Sequence, residues 1–421
     1  MLPNLTPDLE LAERLFAELR DATFDGTGIT RDAYGEGERK AHAIVRQAAE
    51  AIGLDCRADP VGNLVMTLPG ADRAAKRVLL GSHLDSVAEG GNYDGAAGVL
   101  AGLAAVAGMK RAGFVPARDV AVVAVRAEEA GSWFPISYPG SRGALGLLKP
   151  AELAVKRQDT GRTLAEHMRA EGFDPAFAER GGTTFSAEDT AAFLELHIEQ
   201  GPVLEAEGIP VGIVTGIPGS RRLRAARVLG EYNHSGATPR KYRRDAAVAL
   251  AELAHRVDDR WVELEAMGHT LVCTFCVMGT TAEAGFTKIA GEARFQLDVR
   301  SVNPHSVDAL METLYDCIPG IEARRGVTFE LGAETGSKAA PMDADVQAGL
   351  VRAARSLGIA HRMMPSGAGH DAAAFAQAGI PAGMVFVRNQ NGSHNPKEAM
   401  RMEDFAAACA VVTRWAQEMA Q

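Results

Sequence analysis

Apolar residues in the first half of the chain alternate between short continuous runs and longer helical patterns. Residues 120–125 form an unbroken apolar run, and residues 95–109 are rich in Ala, Leu and Val at helical spacing. Similar short runs at 78–80, 192–196 and 383–387 predict further buried strands. Buried strands separated by helices are typical of a mostly parallel sheet with helices on both faces. The pattern therefore predicts an α/β fold.

A middle region, from about residue 214 to 331, follows a different order of strand, helix, strand, strand, helix and strand. Its clearest elements are a predicted helix over 244–265 and predicted strands at 223–228 and 293–299. A chain of 421 residues also exceeds what one hydrophobic core usually holds. We therefore predict a main domain formed by residues 1–213 and 332–421, and an inserted α+β domain over 214–331. A predicted helix over 403–419 caps the main domain.

Composition narrows the class of protein. The net charge of −10 argues against nucleic acid or an anionic membrane as a partner, and no apolar run of about 18 residues is present to span a bilayer. Residues 1–8 lack the basic start and apolar run of a signal peptide. Five cysteines favour a reducing cytoplasm over a disulfide scaffold. Cys273 and Cys276 form a CxxC pair inside a predicted strand, where we expect packed strand residues and not a redox pair.

Histidines and acidic residues follow the predicted strands of the main domain. The carboxyl ends of parallel strands meet at one edge of a sheet, where functional residues gather. Imidazoles and carboxylates on separate segments are the ligands of a two-metal hydrolase. The candidates are His83 and Asp85, Asp94, Glu128 and Glu129, His197, and His394.

The spacing within these segments indicates separate tasks. A histidine ligand needs an acceptor for its other ring nitrogen, and Asp85 is placed to orient His83. Asp94 lies in an Asp-Gly turn before a predicted helix, where it either caps that helix or bridges two cations. Because His83 and Glu129 are also candidate ligands, we favour the interpretation of Asp94 as a bridging ligand. Of the adjacent Glu128 and Glu129, one can bind metal while the other accepts a proton from metal-activated water.

Motifs of other enzyme classes are absent from the sequence. It contains no HExxH, GxxxxGK[ST] or GxSxG. His197-Ile198-Glu199 matches the HxE of zinc deaminases, but no PCxxC follows it, so that interpretation fails.

Seven motifs together resemble a known family. They are GSHLDS (81–86), NYDGAAGVLAG (92–102), EE (128–129) followed by SWF (132–134), HIEQGPVLE (197–205), NHSGATP (233–239), SGAGHDAA (366–373) and NGSHNPKE (391–398). The same motifs occur in this order in the N-carbamoyl-L-amino acid hydrolases and allantoate amidohydrolases. Those enzymes belong to the metal-dependent aminoacylase and carboxypeptidase superfamily, and the resemblance covers about residues 10–415.

The resemblance implies a metal-binding catalytic domain and an inserted lid domain that forms a homodimer. It also implies two divalent ions per subunit, either zinc or one of manganese, cobalt and nickel. Glu128 corresponds to the family's general base, assisted here by Asp85. The implied ligands, with Asp94 bridging, are His83, Asp94, Glu129, His197 and His394.

Further residues resemble the family's substrate contacts. His234 resembles a lid histidine that reaches the partner's active site and stabilises the oxyanion; a surface loop histidine is the alternative. Arg300 resembles the arginine that binds the substrate carboxylate through bidentate hydrogen bonds, with a structural salt bridge as the alternative. Gln200 and Gly369 resemble further contacts.

Two positions depart from the family pattern. Thr287 stands where relatives carry an asparagine that contacts substrate, and a threonine has shorter reach and no amide. The segment after Glu128 and Glu129 is one residue longer and contains Trp133, which predicts a bulkier, more apolar pocket wall if the indole faces the site.

We therefore expect a hydrolase that cleaves a small ureido or amide substrate with metal-activated water. The preferred substrate is an N-carbamoyl-L-amino acid, which yields the amino acid, carbon dioxide and ammonia. The alternatives are allantoate or another ureido acid, and an N-acyl amino acid or dipeptide. A non-catalytic binding protein with the same fold is the remaining alternative. Loss of the base or of ligands would mark it, and none is lost.

Overall fold

The computed structural model describes residues 5–421, which divide into two compact units. The first comprises residues 5–215 and Pro341–Gln421, and the second Gly216–Ala340. The prediction that the N-terminus is no signal peptide rests partly on residues 1–4, which lie outside the described residues. No helix within residues 5–421 is long and apolar enough to cross a membrane.

The helices are α1 (Leu9–Thr23), α2 (Glu36–Ala51), α3 (Ala96–Arg111), α4 (Ala130–Trp133), α5 (Pro139–Ala144), α6 (Leu164–Ala170), α7 (Pro175–Glu179), α8 (Val203–Glu207), α9 (Ala246–Ala266), α10 (Pro304–Arg325), α11 (Ala344–Ser356), α12 (Asp371–Gln377) and α13 (Met402–Met419). Short 3-10 helices occupy Pro150–Ala154 and Arg240–Tyr242. The strands are β1 (Asp55–Ala58), β2 (Leu64–Leu68), β3 (Arg77–His83), β4 (Val120–Val125), β5 (Thr190–Ile198), β6 (Val211–Val214), β7 (Gly216–Ile217), β8 (Gly219–Leu229), β9 (Asn233–His234), β10 (Val272–Thr280), β11 (Lys288–Ile289), β12 (Glu292–Ser301), β13 (Thr328–Glu330), β14 (Glu334–Ser337), β15 (Ala340–Pro341), β16 (His361–Met364) and β17 (Ala382–Val387).

The first unit is built on an eight-stranded sheet in the order β1-β2-β4-β3-β5-β17-β6-β16. Its four central strands, β4, β3, β5 and β17, are mutually parallel. Every residue of β4 and of β17 is buried, which explains why the sequence shows continuous apolar runs there and no alternation. The mostly parallel α/β architecture is thus confirmed.

Helix α3 packs directly on these central strands. Its residues Ala96–Met109 are all buried, so the helix has no polar face over that span. A Cβ at Gly98 would lie 2.1 Å from the Leu196 carbonyl oxygen and 2.6 Å from the Ser82 Cβ. Because glycine has no side chain, α3 approaches β3 and β5 closely where those strands end at His83 and Ile198.

The second unit has its own antiparallel sheet, β10-β12-β8-β13, with β14 also paired to β8. Helices α9 and α10 pack against each other and bury apolar residues shared with this sheet. The sequence predicted that this unit ends at residue 331. In the structure the unit continues to Ala340, because Glu334–Ser337 pair with β8.

The two cysteines of the CxxC pair differ in environment. Cys273 packs against the core of the second unit, and burial raises the pKa of its thiol to about 12. Cys276 is exposed, so the expectation of a packed strand residue is wrong there. A β-bulge between Phe275 and Val277 interrupts the alternation of β10 at this point.

Candidate metal and active site

His83, His197 and Asp94 form a buried group at the carboxyl edge of the central strands. The Asp94 Oδ1 atom lies 3.4 Å from His83 Nε2 and 3.1 Å from His197 Nε2. The two Nε2 atoms are 3.3 Å apart. Residues from β3, β5 and the turn before α3 therefore bring three ligand-type atoms to one point.

Backbone carbonyls set the orientation of both imidazoles. His83 Nδ1 lies 3.1 Å from the Asp85 carbonyl oxygen, and His197 Nδ1 lies 2.9 Å from that of Ile198. When each Nδ1–H donates to its carbonyl, each Nε2 keeps a lone pair near Asp94 Oδ1, and His197 Nε2 also accepts the backbone N–H of Gly95 at 3.2 Å. This is the arrangement that metal-binding histidines adopt.

A second group lies on the other side of the Asp94 carboxylate. His394 Nε2 is 3.6 Å from Asp94 Oδ2 and 2.7 Å from Glu129 Oε1. His394 is half-exposed and adopts a positive φ of 58°. The hydrogen bond to Glu129 raises the pKa of His394 to about 9. Asp94 thus faces one histidine-containing group with each of its two oxygens.

The residues present fit a bound cation. Asp94 Oδ1 is buried and has no hydrogen-bond partner, although two Nε2 atoms face it. Burial lowers the pKa of His83, but Glu128, Asp85 and Asp94 together raise it well above its usual value. Three converging electron-pair donors among buried carboxylates require positive charge, which a divalent cation supplies.

Asp94 is not the helix cap that the sequence left open as an alternative. The N-cap of α3 is Gly95, and no side chain caps this end of the helix. The Asp94 carboxylate instead accepts hydrogen bonds from Gln200 Nε2 at 2.8 Å and Ser393 Oγ at 2.5 Å, both through Oδ2.

Glu128 is buried beside the first group. Its Oε2 lies 3.8 Å from His83 Nε2. Burial, with Glu129 and Asp371 nearby, raises the pKa of Glu128 well above its usual range. The carboxylate of Asp85 accepts the backbone N–H of Glu128 at 3.0 Å and of Glu129 at 2.9 Å. A carboxylate in such a setting is suited to receive and return a proton.

The predicted contacts Gln200 and Gly369 belong to the first unit. Gln200 adopts a positive φ of 62°, and its Nε2 is also 3.4 Å from His394 Nε2. Its Oε1 is buried without a hydrogen-bond partner. A Cβ at Gly369 would overlap the Tyr138 hydroxyl at 1.8 Å, so a side chain there would require the Tyr138 ring to move. Trp133 donates from its indole N–H to the Ser86 carbonyl at 2.9 Å.

The other three predicted residues lie in the second unit. His234 is exposed, and its Nδ1 accepts the backbone N–H groups of Gly236 at 3.1 Å and Ala237 at 3.0 Å. The carbonyl of Thr287 accepts the N–H of Ser235 at 2.9 Å. Arg300 forms an ion pair with Asp298 at 2.8 Å, which is the contact expected of the structural alternative.

Several buried residues of the first unit lie beside the candidate ligands although their part in the site was not predicted from the sequence. Glu398 accepts the N–H groups of Tyr93 at 2.8 Å and Asp94 at 3.2 Å. The ring of His370 lies 4.5 Å from that of His197. The buried carboxylate of Asp371 accepts a hydrogen bond from Ser141, and burial raises its pKa to about 8. Glu398, His370 and Asp371 all lie inside motifs of the family resemblance, which is the one signal that pointed to them.

Comparisons with known proteins agree with this geometry. Residues 79–418 match Peptidase family M20/M25/M40, a metal-dependent family. The chain is similar to N-carbamoyl-L-amino-acid amidohydrolase of Paenarthrobacter aurescens, with 34% identity over 96% of this chain and 97% of that protein. It is also similar to allantoate amidohydrolase of Bacillus subtilis (strain 168), with 34% identity over 90% and 89%.

A solved structure has the same fold. The hydantoinase/carbamoylase family amidase from Burkholderia ambifaria aligns with a TM-score of 0.86 and 33% identity, covering 100% of this chain and 99% of that one. The chain therefore belongs to Peptidase family M20/M25/M40, and it is a hydrolase that acts on C–N bonds.

Proposed function

We propose that this protein is a two-metal amidohydrolase that converts an N-carbamoyl-L-amino acid to the amino acid, carbon dioxide and ammonia. The observation that carries the proposal is the Asp94 carboxylate, which directs one oxygen to each of two ligand groups. Buried Glu128 stands beside the first group. The similarity to amidohydrolases of N-carbamoyl-L-amino acids and of allantoate supports a ureido substrate.

The two groups define which residues would hold the ions. His83 and His197 would bind one ion, Glu129 and His394 would bind the other, and Asp94 would bridge them. Histidine and carboxylate ligands suit zinc, manganese, cobalt and nickel. Bound divalent ions of this kind polarise a carbonyl oxygen and lower the pKa of water to about 7.

Glu128 would accept and donate protons during the reaction. It accepts a proton from the water that attacks the ureido carbonyl and delivers it to the leaving nitrogen as the C–N bond breaks. The products are the amino acid and carbamic acid, and carbamic acid separates into carbon dioxide and ammonia. The position of its carboxyl group beside the first ligand group supports this task, because a carboxylate there can accept the proton and return it.

We also propose that the second unit supplies substrate contacts. Because His234 Nδ1 accepts two backbone N–H groups, its neutral ring carries the proton on Nε2, where it can donate to an oxyanion. Arg300 would bind the substrate carboxylate while its ion pair with Asp298 fixes the guanidinium. Thr287 lies beside the His234 segment and would contact the carboxylate end of the substrate. Gln200 and Gly369 of the first unit would complete the contacts.

A homodimer formed through the second unit belongs to the same proposal. Strand β10 is the edge of its sheet and exposes Val272, Val277 and Met278. An unpaired edge strand with exposed apolar side chains favours association with another chain. His234 would then serve the metal site of the partner subunit. A cytoplasmic location stays a prediction.

Product release from a panel of substrates tests the function. The panel contains N-carbamoyl, N-formyl and N-acyl L-amino acids, a dipeptide and allantoate. Both ammonia and free amine are measured, and the enzyme is reconstituted separately with zinc, manganese, cobalt and nickel. We expect equal amounts of ammonia and amino acid from the N-carbamoyl compounds. Faster release from allantoate would identify allantoate as the preferred substrate. Release of amine without ammonia would contradict a ureido substrate.

A further inference from the structure

The backbone of Asp94 is held from two sides by oppositely charged side chains. Glu398 Oε1 accepts the backbone N–H of Asp94 at 3.2 Å and that of Tyr93 at 2.8 Å. The Arg31 guanidinium reaches the Asp94 carbonyl oxygen at 3.5 Å through Nη2. The backbone N–H groups of Tyr93 and Asp94 thus donate to a carboxylate, and the carbonyl oxygen of Asp94 accepts from a guanidinium.

Arg31 is completely buried, which is unusual for a guanidinium. Its guanidinium also donates to Asn92, with Nη1 3.2 Å from Oδ1 and Nη2 3.5 Å from the backbone oxygen. In the part of the chain that the structure describes, Arg31 forms no direct ion pair. Its charge is balanced at longer range by Glu398, Asp94 and Asp85. A buried cation is costly without such compensation, so its place among these carboxylates indicates a specific task.

The backbone of Arg31 is tied to another ligand segment. Its N–H donates to Ser86 Oγ at 2.9 Å, and its carbonyl accepts the N–H of Ser86 at 2.8 Å. Ser86 directly follows Asp85, the residue that orients His83. Arg31 thus links the segment after β3 to the turn that carries Asp94.

Glu398 makes the corresponding link to the His394 segment. Its Oε2 lies 2.6 Å from Ser393 Oγ, the hydroxyl that donates to Asp94 Oδ2 at 2.5 Å. Ser393 precedes His394 in the chain. The Glu398 side chain is buried and contacts two of the three segments that form the second ligand group.

We propose that Arg31 and Glu398 are positioning residues that hold Asp94 as the shared ligand of the two ions. The inference rests on the proposed two-metal site. Loss of either residue allows the Asn92–Asp94 turn to shift, so one Asp94 oxygen leaves its position. The second group suffers more, because His394 is half-exposed whereas His83 and His197 are fully buried.

Cobalt(II) binding to metal-free enzyme tests this proposal without an activity assay. The variants are Arg31→Lys, Arg31→Met and Glu398→Gln. Arg77→Met is the matched control, because Arg77 also contacts a backbone carbonyl in the first unit and also has a buried Nε without a partner. It lies at the opposite end of β3 from His83. Bound cobalt per chain, the two Kd values and the visible d–d spectrum are measured, and circular dichroism checks folding.

We expect wild type and Arg77→Met to bind two ions with the same d–d spectrum. Arg31→Met should bind one ion tightly and the other with a Kd raised about 10–100-fold. Glu398→Gln should raise that Kd less, because its amide oxygen can still accept the N–H groups of Tyr93 and Asp94 while the negative charge is lost. Arg31→Lys should recover part of this loss, because it restores the charge but not the planar guanidinium. If Arg31→Met does not fold, Arg31→Lys and Glu398→Gln still decide the question. Unchanged Kd values and spectra in folded variants would overturn the inference, whereas fewer than two ions in wild type would contradict the two-metal proposal itself.

Discussion

The carboxylate of Asp85 accepts the backbone N–H of Glu128 at 3.0 Å. Its other oxygen accepts the N–H of Glu129 at 2.9 Å, and its Oδ1 lies 3.4 Å from His83 Nδ1. One fully buried side chain therefore orients a predicted ligand at the end of β3 and the turn after β4. The position of Glu128 relative to His83 depends on this carboxylate.

Replacing Asp85 by asparagine should weaken the site without unfolding the protein. An amide has one acceptor oxygen, so one N–H of the Glu128–Glu129 turn loses its partner, which costs about 1–3 kcal/mol. We expect metal affinity or kcat to fall about 10–100-fold, as for other groups that orient metal ligands. Asp343→Asn is the control, since the Asp343 carboxylate also accepts two backbone N–H groups, at the start of α11. Equal effects of both variants on metal affinity would contradict the orienting task of Asp85.

Glu128→Gln should retain metal and lose turnover. Glutamine has nearly the same shape but cannot accept a proton at neutral pH. We expect kcat to fall by at least about 10²–10⁴-fold, the usual contribution of a general base. Metal content by elemental analysis and kcat on the preferred substrate are measured together. Wild-type turnover in a metal-loaded Glu128→Gln enzyme would rule out Glu128 as the base.

Removing metal should destabilise the first unit. Without cations, the buried carboxylates and the His83 and His197 lone pairs face one another uncompensated. Added metal at 100 times its Kd should stabilise the folded chain by about 2.7 kcal/mol per ion. Thermal unfolding of chelator-treated protein, with and without added zinc or manganese, measures the shift. The shift should shrink in His83→Ala, and an identical shift in that variant would mean that the ions bind elsewhere.

Mixing two inactive variants tests whether His234 acts across subunits. His234→Ala keeps an intact metal site, and Glu128→Gln keeps an intact His234. In a mixed dimer, one site then combines the metal site of one chain with the histidine of the other. Random exchange should restore about a quarter of wild-type activity, because half of the dimers are mixed and one of their two sites is complete.

The controls for this experiment are each variant alone and a mixture prepared without subunit exchange. Light scattering establishes whether the protein is dimeric. If the exchanged dimers recover no activity, then His234 serves its own chain or takes no part in the reaction.

The strands of the main sheet and the polar residues at their ends could be predicted from the sequence. Short continuous apolar runs are typical of strands that are buried on both faces, so β4 and β17 were predictable from the sequence pattern. Polar residues directly after such runs must lie at the carboxyl edge of the sheet. The segments that carry His83, Glu128 and His197 were therefore identifiable from their positions.

Which atoms face one another depends on how separate elements pack. The sequence favoured Asp94 as a bridging ligand over a helix cap, and the structure shows Gly95 at the cap and Asp94 Oδ1 between two imidazoles. The structure also brings Asp94 into contact with Glu398, which is 304 residues later in the chain, and with Arg31, which is 63 residues earlier. Such contacts arise when separate elements pack, whereas hydrophobic periodicity records only which face of each element is buried. The contacts of Arg31 and Glu398 with Asp94 could therefore not be predicted from the sequence.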